Sequence, residues 1–408
     1  METTMRSTLL SFVLIFFIHI SFTIAHENDD ESSTKNARAD SHAPINVMGD
    51  HLHKKGDWMF SYRYMSMNMK GMQQGTSAVN TNSVSSLANP LAGETMRMGD
   101  LANGSPRMMM VPNTYRIVPL EMDMKMHMLG AMYGWSDDIT LMLMLPKLEK
   151  TMRLKTFGGM MGSNAIGNFT SQTSGIGDIK FSAMLKIFDQ DNSQQNNAYK
   201  NKSDKNRTDQ DNQKIHATIG LSFPTGKITE KGEVLPPFAG MMIPAGEKVE
   251  IDRLAYPMQL GSGSYELLSG ITLNDRKANL SWGAQLSTVI RLNENSKNYQ
   301  LGNRLQITAW VAEQWQSWMS GSIRINAFSE GAIKGRDDSI TGAMPLFVAS
   351  NSGRDQIDIN LGINLLGEDE IFKGHRLAAE IGIPVYQRVN GLQMESDWNF
   401  TLGWQKAF

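Results

Sequence analysis

The chain has 408 residues, 41% apolar and 20% charged, which lies in the globular range and excludes disorder as its main state. Its 39 Lys and Arg against 41 Asp and Glu leave a net charge of −2, so no overall field draws it to nucleic acid or to an anionic surface. Cysteine is absent, which removes disulfides, thiolate metal centres and cysteine nucleophiles together.

Residues 1–25 read as a secretory signal, with Arg6 at its start, an apolar stretch from Leu9 to Ile24, and small residues at Thr23-Ile24-Ala25. A polar N-terminal segment follows over 26–56. It places His42, His51 and His53 near Asp50 and Asp57, and a His-x-His with a nearby carboxylate can bind Cu(II) or Zn(II). The competing expectation for this stretch is a solvated tail.

From residue 57 to 408 polar and apolar residues alternate at period two, and no helical stripe of comparable length appears. The alternation predicts an all-β chain with about twelve strands: 58–69, 116–133, 139–154, 177–188, 215–223, 263–273, 280–292, 300–312, 318–328, 356–365, 375–385 and 398–408. Beyond the leader no apolar run reaches the roughly 18 residues that a spanning helix needs. Short connections at 134–138, 274–279, 313–317 and 366–374 alternate with long ones at 70–115, 155–176, 224–262 and 329–355. That pattern predicts a transmembrane antiparallel β-barrel with short turns on one side and long extracellular loops on the other. Two connections break the length rule: 189–214, an Asp/Asn/Gln/Lys-rich stretch that reads as a disordered insertion, and the short 293–298. A soluble β-sandwich is the alternative architecture, but it should show turns at closer spacing.

Parity assigns faces. Charges inside a barrel strand must face the lumen, so Arg63, Glu121, Asp123, Lys125, His127, Asp178, Lys180, Lys186, Arg291, Arg304, Arg324 and Asp358 are the expected lumen-lining groups. By the same rule Met122, Met124, Met126 and Met128 should face lipid, opposite those charges, while Met65, Met67, Met69, Met142 and Met144 face inward. Of the 30 methionines 23 lie within residues 1–161. Thioethers select Cu(I), so the inward five, with His51 and His53, are candidate metal ligands; the plainer reading is a flexible apolar filler in the wall.

The last segment places Trp398, Phe400, Leu402, Trp404 and the terminal Phe408 on one parity. An aromatic final residue on such a strand is similar to the assembly signal of bacterial outer-membrane barrels. It makes the barrel-assembly machinery, outer-membrane lipid and a small solute the expected partners. An exported chain without cysteine also fits the outer membrane of a Gram-negative cell. Serine-hydrolase, phosphate-loop and zinc-protease motifs are missing, so no catalytic residue and no resident cofactor is expected, with copper the candidate metal.

Residues 42–64 (His42-Ala-Pro-Ile-Asn-Val-Met-Gly-Asp-His-Leu-His through Trp58-Met-Phe-Ser-Tyr-Arg-Tyr64), Met124 to Gly134, Ser174-Gly-Ile-Gly-Asp178, Leu221-Ser-Phe-Pro-Thr-Gly226 and Tyr256-Pro-Met-Gln-Leu-Gly-Ser-Gly263 carry a family resemblance. Together they resemble a bacterial family of outer-membrane transporter-like proteins related to the group labelled putative MetA-pathway of phenol degradation. The resemblance spans roughly residues 42–408, departs at 189–214, and implies an outer-membrane barrel with a transport role and a hydrophobic or aromatic solute. It implies no catalytic residue. The expected function is an outer-membrane channel or transporter for a small solute. The alternatives are a Met/His-rich envelope protein that binds or handles copper, and a structural or adhesive barrel.

Overall fold

The computed structural model describes residues 38–408 except 102, 160–161, 163, 190–212, 239–242 and 369–370. The expected signal at 1–25 and all but the ends of the insertion at 189–214 lie outside the described residues. The wall is built from β1 (Trp58–Gly75), β2 (Ile117–Ser136), β3 (Ile139–Gly158), β4 (Asn164–Ile176), β5 (Ile179–Asp189), β6 (Lys214–Phe223), β7 (Glu266–Lys277), β8 (Leu280–Arg291), β9 (Arg304–Gln316), β10 (Met319–Glu330), β11 (Arg354–Leu366) and β12 (His375–Ala407). Eleven of these pair in sequence into a closed antiparallel barrel, with β4 attached beside β3. Closure comes from β1 pairing with the end of β12, Met59 opposite Ala407 and Asn68 opposite Trp398. A closed ladder leaves no strand edge unpaired, which is what lipid demands of a backbone that crosses it.

At 33 residues β12 is too long for one stave. Its first half pairs with β11 and its second with β1, so it turns back on itself and supplies two staves. Gly391 sits at the reversal with φ +64, a conformation that a side chain would oppose. Trp404 Nε1 then reaches His375 Nδ1 across the two halves at 3.0 Å. Counted this way the wall has the twelve staves that the alternation predicts. β4 and β5 are likewise one stave, interrupted at Gly177-Asp178, whose halves pair with successive parts of β3. Pro119 and Pro384 lie beside register shifts, where a missing N–H removes no ladder bond.

One departure from expectation concerns 155–176, read as a long loop. β3 continues to Gly158 and β4 pairs with it from Asn164, so the wall extends upward there. Phe169, Ser171 and Thr173 are buried on its inner face while Asn168, Thr170, Gln172 and Ser174 are exposed. With polar groups on both faces, the stretch lacks the greasy-and-wet contrast of a lipid-embedded strand.

The outer surface carries the apolar residues: Leu129, Leu143, Leu145, Phe181, Leu221, Leu286, Leu305, Ile323, Leu361, Ile381 and Leu402 are all exposed large apolar side chains. An aromatic girdle of Trp58, Tyr133, Trp135, Trp315, Trp318, Trp404 and Phe408 marks the short-turn end. Within it Trp58 and Tyr133 lie 4.6 Å apart. Phe223 and Tyr265, 6.1 Å apart, mark the opposite interface. An apolar belt about 25 Å tall between aromatic girdles is the outer face of a membrane barrel.

Above the belt the long loops fold into the mouth and form one apolar core. Leu91, Met96, Ile251, Tyr256, Met344 and Phe347 from the loops pack on Met122, Leu154, Phe157 and Phe169 from the wall. Wall hydroxyls bond the loop backbone, Thr156 Oγ1 to Leu235 O at 2.7 Å and Thr173 Oγ1 to Met258 O at 2.9 Å. A buried Arg253–Asp337 pair at 2.9 Å joins two of the loops.

Candidate functional site

The polar stretch before β1 is not a free tail. Ala39, Asp40, Ala43, Ile45, Val47, Asp50 and His53 are buried, and the segment 39–53 runs inside the barrel at its short-turn end. Inward wall side chains bond its backbone. Ser320 Oγ donates to Ala39 O at 2.9 Å, Ser281 Oγ to Asp40 O at 2.7 Å, Arg376 Nη2 to Ala43 O at 2.6 Å and Gln285 Nε2 to Met48 O at 2.9 Å. His216 Nε2 meets Gly49 O at 2.8 Å, and Thr140 Oγ1 accepts from His53 N at 2.8 Å. Donors from strands all round the barrel therefore converge on one segment, which is a plug.

Its firmest anchor is charged. Glu380, fully buried, is gripped by Arg324 through Nε at 3.1 Å, and accepts from Asn46 Nδ2 of the plug at 2.8 Å. Thr401 Oγ1 donates to the Asn46 Oδ1 at 2.6 Å, so the amide is held at both ends. Only a paired carboxylate and guanidinium tolerate such burial.

Beyond the plug the lumen wall is polar. Glu266 and Arg291 pair at 3.1 Å, Asn326 Nδ2 and Gln356 Nε2 donate to Asp358 at 3.1 and 2.7 Å, and Arg304 stacks 3.8 Å over Phe328. Arg354 bonds Ser396 Oγ at 2.7 Å. Next to the plug lies a cavity of about 10 Å³, bordered by Met48, Asp50, Met59, Arg63, Met142 and Met144, with room for roughly one water.

Of the expected lumen-lining residues, Arg63, Lys180, Arg291, Arg304, Arg324 and Asp358 lie on the inner face. Asp178 sits in the β4–β5 break and accepts from Gly226 N at 2.9 Å, Ser262 N at 2.8 Å and Ser262 Oγ at 2.7 Å, latching two loop segments. Lys186 is at the short-turn rim, paired with Asp138. Glu121, Asp123, Lys125 and His127 face outward instead, sharing a face with Leu129, which is 56% exposed. His127 Nδ1 bonds Tyr62 OH at 2.7 Å, Asn68 Nδ2 donates to Asp123 Oδ1 at 2.8 Å, and Arg153 pairs with Glu121. The expectation assumed that every residue of β2 is at membrane depth. β2 rises above the apolar belt, so outward charges there meet water and headgroups at no desolvation cost.

The methionines of β2 reverse accordingly. Met122 and Met128 are buried inside, and Met59, Met128, Met132, Met142, Met144 and Met184 form an apolar cluster with Met48, Met65 and Met126 packed against it. Met67 lies opposite Met124, while Met69 packs on the loop core. The structure thus brings Met65, Met142 and Met144 near one another, but not Met69.

His51 and His53 are in the plug, with ring centroids 4.8 Å apart, and His42 lies 4.5 Å from His51. His51 Nδ1 bonds Asp50 Oδ1 at 2.9 Å. Burial, with the neighbouring His51 and Arg376 charges, lowers the His42 pKa to about 4. His53 is lowered to about 3 by burial and by His51 and His42, so both rings are neutral at neutral pH. Burial alone would raise the Asp50 carboxyl, but the neighbouring His51 and His42, with His51 hydrogen-bonded to it, hold it well below the usual range.

Sequence reasoning missed Glu380, Arg376, Asn46, Glu266 and Arg354. Arg376 and Glu380 were detectable, since Arg376, Ala378, Glu380 and Gly382 alternate with Leu377, Ala379, Ile381 and Ile383 in a segment already read as a strand. Phe408 ends the last stave, its N–H donating to Trp58 O at 2.8 Å.

No family model matches the chain, and no curated protein matches it. Among solved structures it is similar to the COG4313 outer membrane channel of Pseudomonas putida F1, at 12% identity over 89% of this chain and 100% of that one, with a TM-score of 0.49. It is also similar to the Ralstonia pickettii toluene transporter TbuX, at 10% identity over 87% and 90% of the two chains, TM-score 0.38. A Pseudomonas aeruginosa FadL homologue matches at 10% identity over 86% and 90%, TM-score 0.36.

Proposed function

We propose that the chain is a channel of the Gram-negative outer membrane for a small solute, closed at rest by its own N-terminal segment. The observation that carries this is the ring of wall donors, Ser281, Gln285, Ser320 and Arg376, spent on the backbone of residues 39–48. Hydrogen bonds exchange with water at a net cost of only about 1 kcal/mol each, so such a plug is held firmly and still releasable. The reading contains no catalytic step: the chemistry is selection by the mouth and the lumen. The apolar mouth, with Phe157, Phe169, Tyr256 and Phe347 in its core, favours a small apolar or aromatic solute. The segmental resemblance to the phenol-degradation group supports the same class. Phe408 and its stave supply the assembly signal.

The experiment is uptake of a monocyclic aromatic hydrocarbon and of a hexose into vesicles of lipopolysaccharide-containing outer membrane, with the intact chain, the chain lacking 38–54, or neither. The expected order for the hydrocarbon is plug-less above intact above empty, with little gain for the hexose. Equal uptake by empty and protein-containing vesicles would sink the transport reading.

A further inference from the structure

The plug carries a side-chain group that closure of the lumen does not explain. One ligand atom each from His42, Asp50 and His51 lies within 4.8 Å of the others. Asp50 is 4% exposed. Its Oδ1 takes the hydrogen bond from His51 Nδ1 at 2.9 Å, and its Oδ2 accepts Ala43 N at 3.0 Å and stands 3.5 Å from His42 Nδ1. His42 Nδ1 and His53 Nε2 are both buried without a hydrogen-bond partner, and His53 is only 8% exposed. Holding the plug would need none of this: a buried carboxylate among three imidazoles, two with an orphaned nitrogen, is a costly way to fold a loop.

We propose that His42, Asp50 and His51 form a site for a borderline divalent metal, Cu2+ or Zn2+, with His53 as the further donor. Nitrogen and carboxylate oxygen are the donors such ions take, and ligand–metal distances of about 2.0–2.2 Å put tetrahedral ligand atoms about 3.3 Å apart. The two Asp50 oxygens stand 2.9 and 3.5 Å from the histidine nitrogens and all three ligand atoms lie within 4.8 Å of one another, so the two imidazoles must swing toward each other to close the site. His42 Nδ1, buried without a hydrogen-bond partner, is the ring nitrogen placed to supply a lone pair to the ion. Arg63 and Arg376, the cations facing the cluster from the wall, oppose a second positive charge, and Asp50 offsets them. Bound metal would tie residue 42 to residue 51 and so clasp the stretch of plug whose backbone crosses the lumen. The clasp rests on the plugged-channel reading; metal binding does not, and the two fail separately.

The test is titration of the untagged chain, refolded in detergent into a heat-modifiable barrel, with Cu2+ and Zn2+ by calorimetry, and with Cu2+ by electron paramagnetic resonance. One equivalent should bind saturably, with superhyperfine splitting from at least two imidazole nitrogens. The double variant His42→Ala/His51→Ala should weaken binding by at least about 10-fold. The isosteric Asp50→Asn, which keeps the loop's shape, should weaken it too. Absence of saturable binding by the folded barrel overturns the site. So does unchanged affinity or an unchanged nitrogen signal in the double variant, or a preference for Ag+ that survives it, which would point to the clustered thioethers instead.

Discussion

Glu380 shows most plainly how single residues hold this molecule closed. It lies fully inside the barrel, balanced by Arg324 on one side and by the plug's Asn46 on the other. Removing one member of such a pair strands the other charge, at a cost of about 3–5 kcal/mol. Glu380→Ala should therefore lower the urea midpoint of the detergent-folded barrel by a matching amount, while Glu380→Gln, which keeps the acceptor for Asn46, should lose less. An alanine variant within about 1 kcal/mol of the parent would show that the pair is not coupled to the fold. At this scale the sequence was partly legible. Arg63, Arg324 and Asp358 fell on the inner face because alternation within the lipid belt leaves a charge nowhere else to go. His127 and its charged neighbours misled because the rule was applied to the mouth end of β2, where Tyr62 and Asn68 partner them.

Among the elements, β2 is where the corrected parity can be checked. The chain has no cysteine, so each introduced thiol is the only one. In the folded barrel Asp123→Cys should react with a water-soluble maleimide and Met122→Cys, at 4% exposure, should not. The opposite pattern would restore the charges to the lumen. On the lipid face of β9, Val311 is 48% exposed, midway between the short turn and the mouth end of the strand. Val311→Arg should destabilise the inserted barrel by roughly 2–4 kcal/mol near the midplane, seen as lost heat-modifiability. Normal assembly of this variant would mean that β9 does not face lipid there. The lipid-embedded parts of the strands could be read from sequence because each has a greasy and a wet face. β4 could not, because neither of its faces meets lipid, and the reversal in β12 rests on a single Gly391.

For the whole molecule, closure is built twice, by an apolar core of loops over the mouth and by a hydrogen-bonded plug at the short-turn end. The barrel and its short and long connections, 155–176 excepted, were visible in the sequence. The plug was not, because a segment buried in a polar lumen needs no apolar periodicity: its backbone is satisfied by Ser281, Ser320 and Arg376, far away in the chain. The most direct measurement of the plugged channel is thiol accessibility at Ser322→Cys. This near-isosteric change lies on the inner face of β10, two residues from the Ser320 that holds the plug, and Ser322 is 8% exposed. A small charged thiol reagent applied from the short-turn side should react slowly with the intact chain and at least about 100-fold faster once residues 38–54 are removed. Equal rates in two properly folded barrels would contradict closure by the N-terminal segment.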